Sequence, residues 1–249
     1  MTSELGRQVQ PPDPSSIELD LMRRFELRSN GRVLQLPLNA RRVLAFLAVH
    51  GTPLMRTYIA ETLWSDTNGR RAAANLRSAV WRIRQQQGEL LEPIGGQLAL
   101  SSRVVVDMQE HAALAHRLLD RSTRQWPVDL VPSAVAALSL ELLPDWTEDW
   151  LLLERDRWNQ LRLHALEALA ERLLEMGSFV EAFEAALAAV WSEPLRESAH
   201  RVLIRVHAAE GNWSEAVTQY RRYRQLLDRA LGASPTAQME NLIRELMPR

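Results

Sequence analysis

Near Asp107 the apolar pattern of this chain switches from mixed to purely helical, and that switch limits its fold more than any other feature. Before it, short alternating runs bracket three helical stretches. Ile17, Leu19 and Leu21 alternate with Glu18, Asp20 and Met22, and Phe25 and Leu27 with Glu26 and Arg28, which predicts short strands. Ser29-Asn30-Gly31 predicts a tight hairpin, followed by Val33, Leu34 and Leu36. Asn39 is placed to cap a helix over residues 40 to about 50, which Gly51 ends. A second helix is expected over residues 56–64, with Ile59, Ala60 and Leu63 inward, then a turn over residues 65–69. The third runs from about residue 70 to 87 and stops at Gly88. Residues 90–94, the pair Gly95-Gly96 and residues 97–100 read as a hairpin, with Pro93 suited to an edge. Strands, three helices and a closing hairpin are the plan of an α+β winged helix-turn-helix behind a small sheet. The second and third helices form the pair, and the hairpin is the wing.

After Asp107 the strand signals stop and Ala, Leu and Glu recur at helical spacing. Gly177-Ser178-Phe179 with Glu181-Ala182 returns as Gly211-Asn212-Trp213 with Glu215-Ala216, an offset of 34 residues. That is the length of a tetratricopeptide (TPR) repeat, a helical hairpin that buries its face only against its neighbours. Ala182, Ala189 and Pro194 fit the pattern in the first copy, and Ala216 and Tyr220 in the second. A degenerate third unit is expected between Asp107 and Pro144. The domains read as a Pro-rich disordered leader (1–15), a winged-helix domain (16–106) and an all-α TPR-like helical-repeat domain (107–249). Charge divides the same way. Residues 1–107 hold 14 Arg against 10 Asp and Glu, and residues 108–249 hold 16 against 21. A basic module beside an acidic one points to nucleic acid on one side and protein on the other.

The third helix carries the functional signal. Leu76, Val80 and Ile83, with Ala72 and Ala73, define one apolar stripe. The other face presents Arg70, Arg71, Ala74, Arg77, Ser78, Trp81, Arg82 and Gln85, with Asn75 on its flank. Between Thr67 and Gly88 there are five arginines and no acidic residue. An ordinary solvated helix mixes both signs; a one-signed face around small residues suits entry into a major groove. Ala74 and Ser78 allow close approach, Arg can grip phosphate or guanine bidentately, and Asn75 can read adenine or hold a phosphate. Trp81 has two readings, stacking on the sugar-phosphate backbone or packing between domains, and the second is the readier expectation. Arg84 lies nearer the core edge, where a phosphate or the wing is in reach. Arg41 and Arg42 read as plain surface charge.

The run Leu63-Trp64-Ser65-Asp66, then Arg70-Arg71-Ala72 and residues 74–84, resembles the recognition-helix region of SARP-type transcriptional activators. Leu143-Pro144-Asp145-Trp146, residues 149–155, 161–170 and 193–200, and Tyr220-Arg221-Arg222-Tyr223 resemble that family's bacterial transcriptional activation domain. The resemblance implies an OmpR-type winged-helix DNA-binding domain and a TPR-like activation domain. It also implies binding to direct repeats in promoter DNA, often as a homodimer, recruitment of RNA polymerase, and control of biosynthetic clusters for secondary metabolites. Larger members add an NTPase module, which these 249 residues do not reach. Two positions depart from the pattern: Met55 stands where a Ser-like cap is usual, and Pro93 interrupts the first strand of the wing.

Other functions have less to draw on. All 30 basic residues are arginine, so a Walker-A lysine, a Schiff-base lysine and a Ser-Lys dyad are excluded. No G-x-S-x-G or H-E-x-x-H occurs, and the histidines, His200 and His207 among them, lack metal-ligand spacing. The acids between Asp145 and Asp156 sit among Trp146, Trp150 and Trp158, which reads as aromatic packing with solvated carboxylates. An enzyme, a cofactor and a metal are therefore not expected. Cysteine is absent and no apolar run approaches a membrane span, which points to the cytoplasm. The alternative is a TPR-type adaptor or ligand sensor that never touches DNA.

Overall fold

The computed structural model describes residues 17–87, 89–120 and 127–246, so the predicted leader and the stop at Gly88 lie outside the described residues. In chain order the elements are β1 (Ile17–Asp20), β2 (Glu26–Ser29), β3 (Arg32–Val33), α1 (Leu38–His50), β4 (Leu54–Met55), α2 (Arg56–Leu63), α3 (Gly69–Gln86), β5 (Leu91–Ile94), β6 (Gln97–Leu100) and β7 (Val104–Val106). Helices follow: α4 (Asp107–Leu119), α5 (Val131–Leu138), α6 (Asp149–Glu175), α7 (Phe179–Ser192), α8 (Glu197–Ala209), α9 (Trp213–Leu231) and α10 (Ala237–Leu246). They fall into two compact units. One comprises Met1–Glu110 with Glu141–Arg155, the other His111–Leu140 with Asp156–Arg249.

In the first unit two sheets flank the three helices. The order β3-β2-β1-β7 forms one, and β4-β6-β5 the other. The predicted hairpin turn is present: Ser29 pairs with Arg32, and both Asn30 and Gly31 take positive φ, 51° and 73°. Ile17 and Leu19 point inward from β1 as expected, but Met22 does not follow the polar phase; it is buried and bridges Leu142. Helix α1 begins at Leu38, one residue before Asn39. Pro37 holds the cap position, so Asn39 lies inside the first turn and caps nothing. Gly51 closes that helix in the left-handed region at φ 65°. Pro93 does not break the hairpin. It pairs in register with Leu98 because β5 is an edge strand, where the missing N–H costs nothing.

Two long-range ties complete this unit. Strand β7 runs parallel to β1, pairing Ile17 with Val104 and Leu19 with Val106. Asp107, the first residue of α4, then accepts from the backbone N–H groups of Leu21 (2.8 Å), Met22 (2.9 Å) and Met108 (2.6 Å). Residues 141–155 are the second tie. Buried Leu143 sits at φ 43° and donates its N–H to the Leu21 carbonyl at 2.9 Å. Arg155 holds that turn by donating to the carbonyls of Leu142 (2.9 Å), Leu143 and Trp146 (2.8 Å). Trp146 stacks on Phe25 and Trp150 meets Phe46 edge-on.

The second unit is helical. Gly177 and Gly211, 34 residues apart, both take positive φ (76° and 89°) in equivalent turns before α7 and α9. Ala182, Ala189 and Ala216 are buried where the repeat needs small residues. Upstream, α4 and α5 supply the helices between Asp107 and Pro144. Trp158 is buried and donates to the Leu140 carbonyl at 2.9 Å. A cavity of about 360 Å³ is walled by Leu119 of α4, His164 and Glu167 of α6, and Ser198, Arg201 and Arg205 of α8. His200 and His207 do not converge: His200 lies over Tyr223 and His207 meets Phe183 edge-on. Among the described residues there is no group of three metal-ligating side chains, and no helix is long and apolar enough to cross a membrane.

Replacing Asp107 with Ala strands three backbone donors, so Asp107→Ala is expected to lower unfolding stability by about 1–3 kcal/mol in urea titration, and Asp107→Asn by less. A pH effect follows from His200. Its Nε2 lies 2.9 Å from the Pro194 carbonyl and its Nδ1 2.9 Å from Gln219 Nε2, a pattern that suits the neutral ring. Burial pushes its pKa below the usual 6.5. The unfolded chain therefore takes up a proton that the folded one refuses, and stability should fall as pH drops below about 6.5. His200→Gln should flatten the fall, measured by urea unfolding at stepped pH.

Candidate nucleic-acid interface

Helix α3 exists because its start is capped and one stripe of it is sealed. The turn after α2 is closed by Thr67, whose N–H and hydroxyl both reach the Trp64 carbonyl (3.1 and 3.0 Å). Asn68 then caps α3, its Oδ1 accepting from the Arg71 N–H at 2.9 Å. Ala72, Leu76, Ala79, Val80 and Ile83 are buried in the core with α1 and α2. Ala73, expected on that stripe, is only half-buried.

The opposite face is open to solvent. Arg70, Arg71, Arg77, Ser78, Trp81, Arg82 and Arg84 are exposed, while Ala74 and Asn75 are half-buried among them. The structure thus brings every predicted contact residue onto one solvent-facing surface. Trp81 does not pack as expected. It keeps 53% of its surface, and the Arg82 guanidinium lies 4.9 Å from its ring centroid. Arg84 stands in the last turn, exposed rather than tucked at the core edge.

Several other arginines of the same unit are engaged, although Arg23, Arg32 and Arg56, like those of α3, meet no carboxylate among the described residues. Arg24, Arg28 and Arg103 meet carboxylates. Arg42, read from sequence as surface charge, is a clamp. Its side chain retains 18% exposure, it contacts the Glu148 carboxylate at 2.7 Å through Nε and Nη2, and it donates to the Leu63 carbonyl. Arg41 donates to the Leu36 carbonyl at 2.8 Å. The side chains of Arg70, Arg71, Arg77, Arg82 and Arg84 have no carboxylate partner among the described residues. Five guanidiniums on one helix face, with no carboxylate beside them among the described residues, give that face a positive local potential.

The hairpin of β5 and β6 carries no cation from residue 90 to 100, and its turn is Gly95-Gly96. Arg56 stands beside that turn: its backbone N–H reaches the Gly96 carbonyl at 3.4 Å. Nothing in the local sequence pattern singles out Arg56. It opens α2 directly after the short strand β4, whose pairing with β6 across residues 54–55 and 97–98 left no local signature.

Loss of the Asn68 cap by Asn68→Ala is expected to destabilise the first turn of α3 by about 1 kcal/mol, read by urea unfolding.

Comparison with known proteins places these features in a family. Residues 105–247 match the model of the bacterial transcriptional activator domain. Over 227 residues the chain is 25% identical to regulatory protein AfsR of Streptomyces griseus, covering 89% of this chain and 23% of that one. AfsR of Streptomyces coelicolor is 24% identical over 209 residues, 82% of this chain and 21% of that one. The chain therefore spans under a quarter of the length of these relatives. The solved structure of Mycobacterium tuberculosis EmbR, in complex with a low affinity phosphopeptide, superposes with a TM-score of 0.73 at 19% identity, over 92% of this chain and 64% of that one. The two share a winged-helix plus helical-repeat fold.

Proposed function

Because the chain belongs to the bacterial transcriptional activator domain family, and within it to the SARP type, we propose that it is a transcriptional activator that binds promoter DNA in a sequence-specific way through α3. The observation that carries this reading is the uncovered face of α3, where five arginines around Ala74 and Ser78 pair with no carboxylate among the described residues. Small residues let the helix approach the floor of a major groove while Arg and Asn75 reach base edges and phosphates. In this reading Arg56 and the Gly95-Gly96 turn meet the adjacent backbone, Arg56 supplying the charge the hairpin lacks. The helical-repeat domain holds a second copy of the chain, RNA polymerase, or both. Direct repeats in a promoter, a biosynthetic gene cluster as target and a cytoplasmic site of action belong to the same proposal.

The cavity beside Glu167 and Arg201 favours one addition, a small-molecule or peptide input to the regulator, and is also what the adaptor alternative would use. Binding to promoter fragments against competitor DNA decides between them. A regulator keeps a competition-resistant complex whose affinity falls steeply with salt, and an adaptor forms none. The full chain is the right reagent, since a cut after Asp107 removes residues 141–155 from the first unit.

Selection of binding sites from random duplexes should first yield an operator. Arg77→Ala should then weaken operator binding by about 1–3 kcal/mol if the side chain reads a base. If it holds a phosphate, the slope of log affinity against log salt should fall by about one unit. Unchanged affinity and slope in a folded variant removes Arg77 from the interface.

A further inference from the structure

The turn that launches α3 is braced by a carboxylate from far along the chain. Arg42 of α1 is the intermediary. Its Nη2 donates to the carbonyl of Leu63, the last residue of α2, and its guanidinium lies 5.5 Å from the centroid of the Trp64 ring. The Leu63 carbonyl is one of the last four of that helix, which have no partner within it. The Trp64 carbonyl accepts from the N–H and hydroxyl of Thr67, and the next residue, Asn68, caps α3. A run of bonds thus leads from the guanidinium to the first turn of α3.

Arg42 is itself aimed. Its Nη2 donates to Glu148 Oε2 at 2.7 Å, and its Nε lies 2.7 Å from Oε1. Trp150 donates its ring N–H to the same Oε2 at 3.1 Å and meets Phe46 of α1 edge-on, which fixes the carboxylate. Arg42 and Glu148 keep only 18% and 20% of their side-chain surface, so salt screens the pair little. The chain delivers Glu148 from outside the winged-helix sequence. It leaves the first unit after Glu110 and returns to it for Glu141–Arg155. Glu148 stands one residue before α6, inside the stretch that matches the bacterial transcriptional activator domain.

The buried stripe of α3 sets its rotation, whereas its axial position and tilt are set where it begins. Base reading depends on both, because the N-terminal residues of a recognition helix meet the base edges and must be held within roughly 0.5 Å. Non-specific binding rests on the number of phosphates neutralised and tolerates a shift.

We infer that Glu148, acting through Arg42, is a positioning residue for sequence reading by α3. It holds the start of that helix and touches no DNA itself. The inference rests on the DNA-binding reading above.

The sign of the effect separates it from plain electrostatics. Glu148→Ala removes a negative charge, which by charge alone favours a polyanion of any sequence; loss of positioning weakens the operator complex instead. The native full chain, Glu148→Ala, Glu148→Gln and Arg42→Lys are compared on the selected operator and on a scrambled duplex of equal length, after circular dichroism and urea unfolding show each to be folded. Arg42→Lys keeps the charge but not the fork that spans both carboxylate oxygens. Operator affinity is expected to fall about tenfold in Glu148→Ala and Arg42→Lys, the scale of one lost base contact, and by less in Glu148→Gln. Affinity for the scrambled duplex should stay level or rise, with its salt slope unchanged. Asp145→Ala, which removes an exposed carboxylate three residues away, should keep the native ratio of the two affinities. If Glu148→Ala does not fold, the isosteric Glu148→Gln carries the comparison. A pair that only stabilises the fold shifts the urea midpoint and leaves the ratio alone; that result in folded variants overturns the inference. An equal fall on both duplexes marks a phosphate contact and overturns it too. A native chain with no competition-resistant operator complex ends the DNA reading and this inference together, whereas an unchanged ratio ends the inference alone.

Discussion

Sealing one stripe of α3 controls what its other side can do. Ala72, Leu76, Ala79, Val80 and Ile83 are within a few per cent of full burial, so the helix cannot roll about its axis without exposing them. With that rotation fixed, Arg70, Arg77, Arg82 and their neighbours are held outward. An arginine held outward with no carboxylate in reach meets either water or a partner. The first unit has acids enough to have paired them, since Arg28 alone draws Glu26 and Asp20. The sequence instead keeps every acidic residue off α3.

Elements whose cause is local were legible in the chain. The Asn30-Gly31 turn, the Gly51 stop, the stripe of α3 and the Gly177 and Gly211 turns each depend on residues within a few positions, and each stands where the pattern placed it, half-buried Ala73 of the stripe excepted. What escaped depends on distant partners. Strand β7 has three valines but does not pair with β6, its neighbour in sequence; it pairs with β1 across more than eighty residues. Met22 is buried by Leu142, and Asn39 loses the cap position to a helix that begins one residue after Pro37. Arg42 looked like surface charge because Glu148, the group that buries it, is 106 positions away.

The same distinction sorts the residues that carry the family resemblance. The stretch around Leu143, Trp146, Trp150 and Arg155 is structural. It consists of a left-handed leucine whose strain of about 1–3 kcal/mol is held by an arginine bonded to three carbonyls, with two tryptophans packed on Phe25 and Phe46. Leu143 is buried, Trp146, Trp150 and Arg155 are half-buried, and the contacts they make are to the rest of the unit. The stretch on α3 holds itself in place through its apolar half, and its arginine half does nothing for the fold. One similarity thus covers two kinds of residue, those that hold the fold together and those the fold leaves at its surface.

Pairing state, more than net charge, carries the functional information in this chain. Residues 1–107 are basic and residues 108–249 acidic, yet the two compact units are near balance, with 15 Arg against 16 Asp and Glu in the first and 15 against 15 in the second, so neither balance says where a partner sits. An engaged arginine such as Arg155 or Arg196 has spent its donors on the fold and contributes only a weak, compensated field. A cluster of unengaged ones produces a local potential that survives at the surface whatever the total charge. On α3 the neighbours of the arginines are alanine and serine, side chains too short to screen the guanidiniums from whatever approaches the helix.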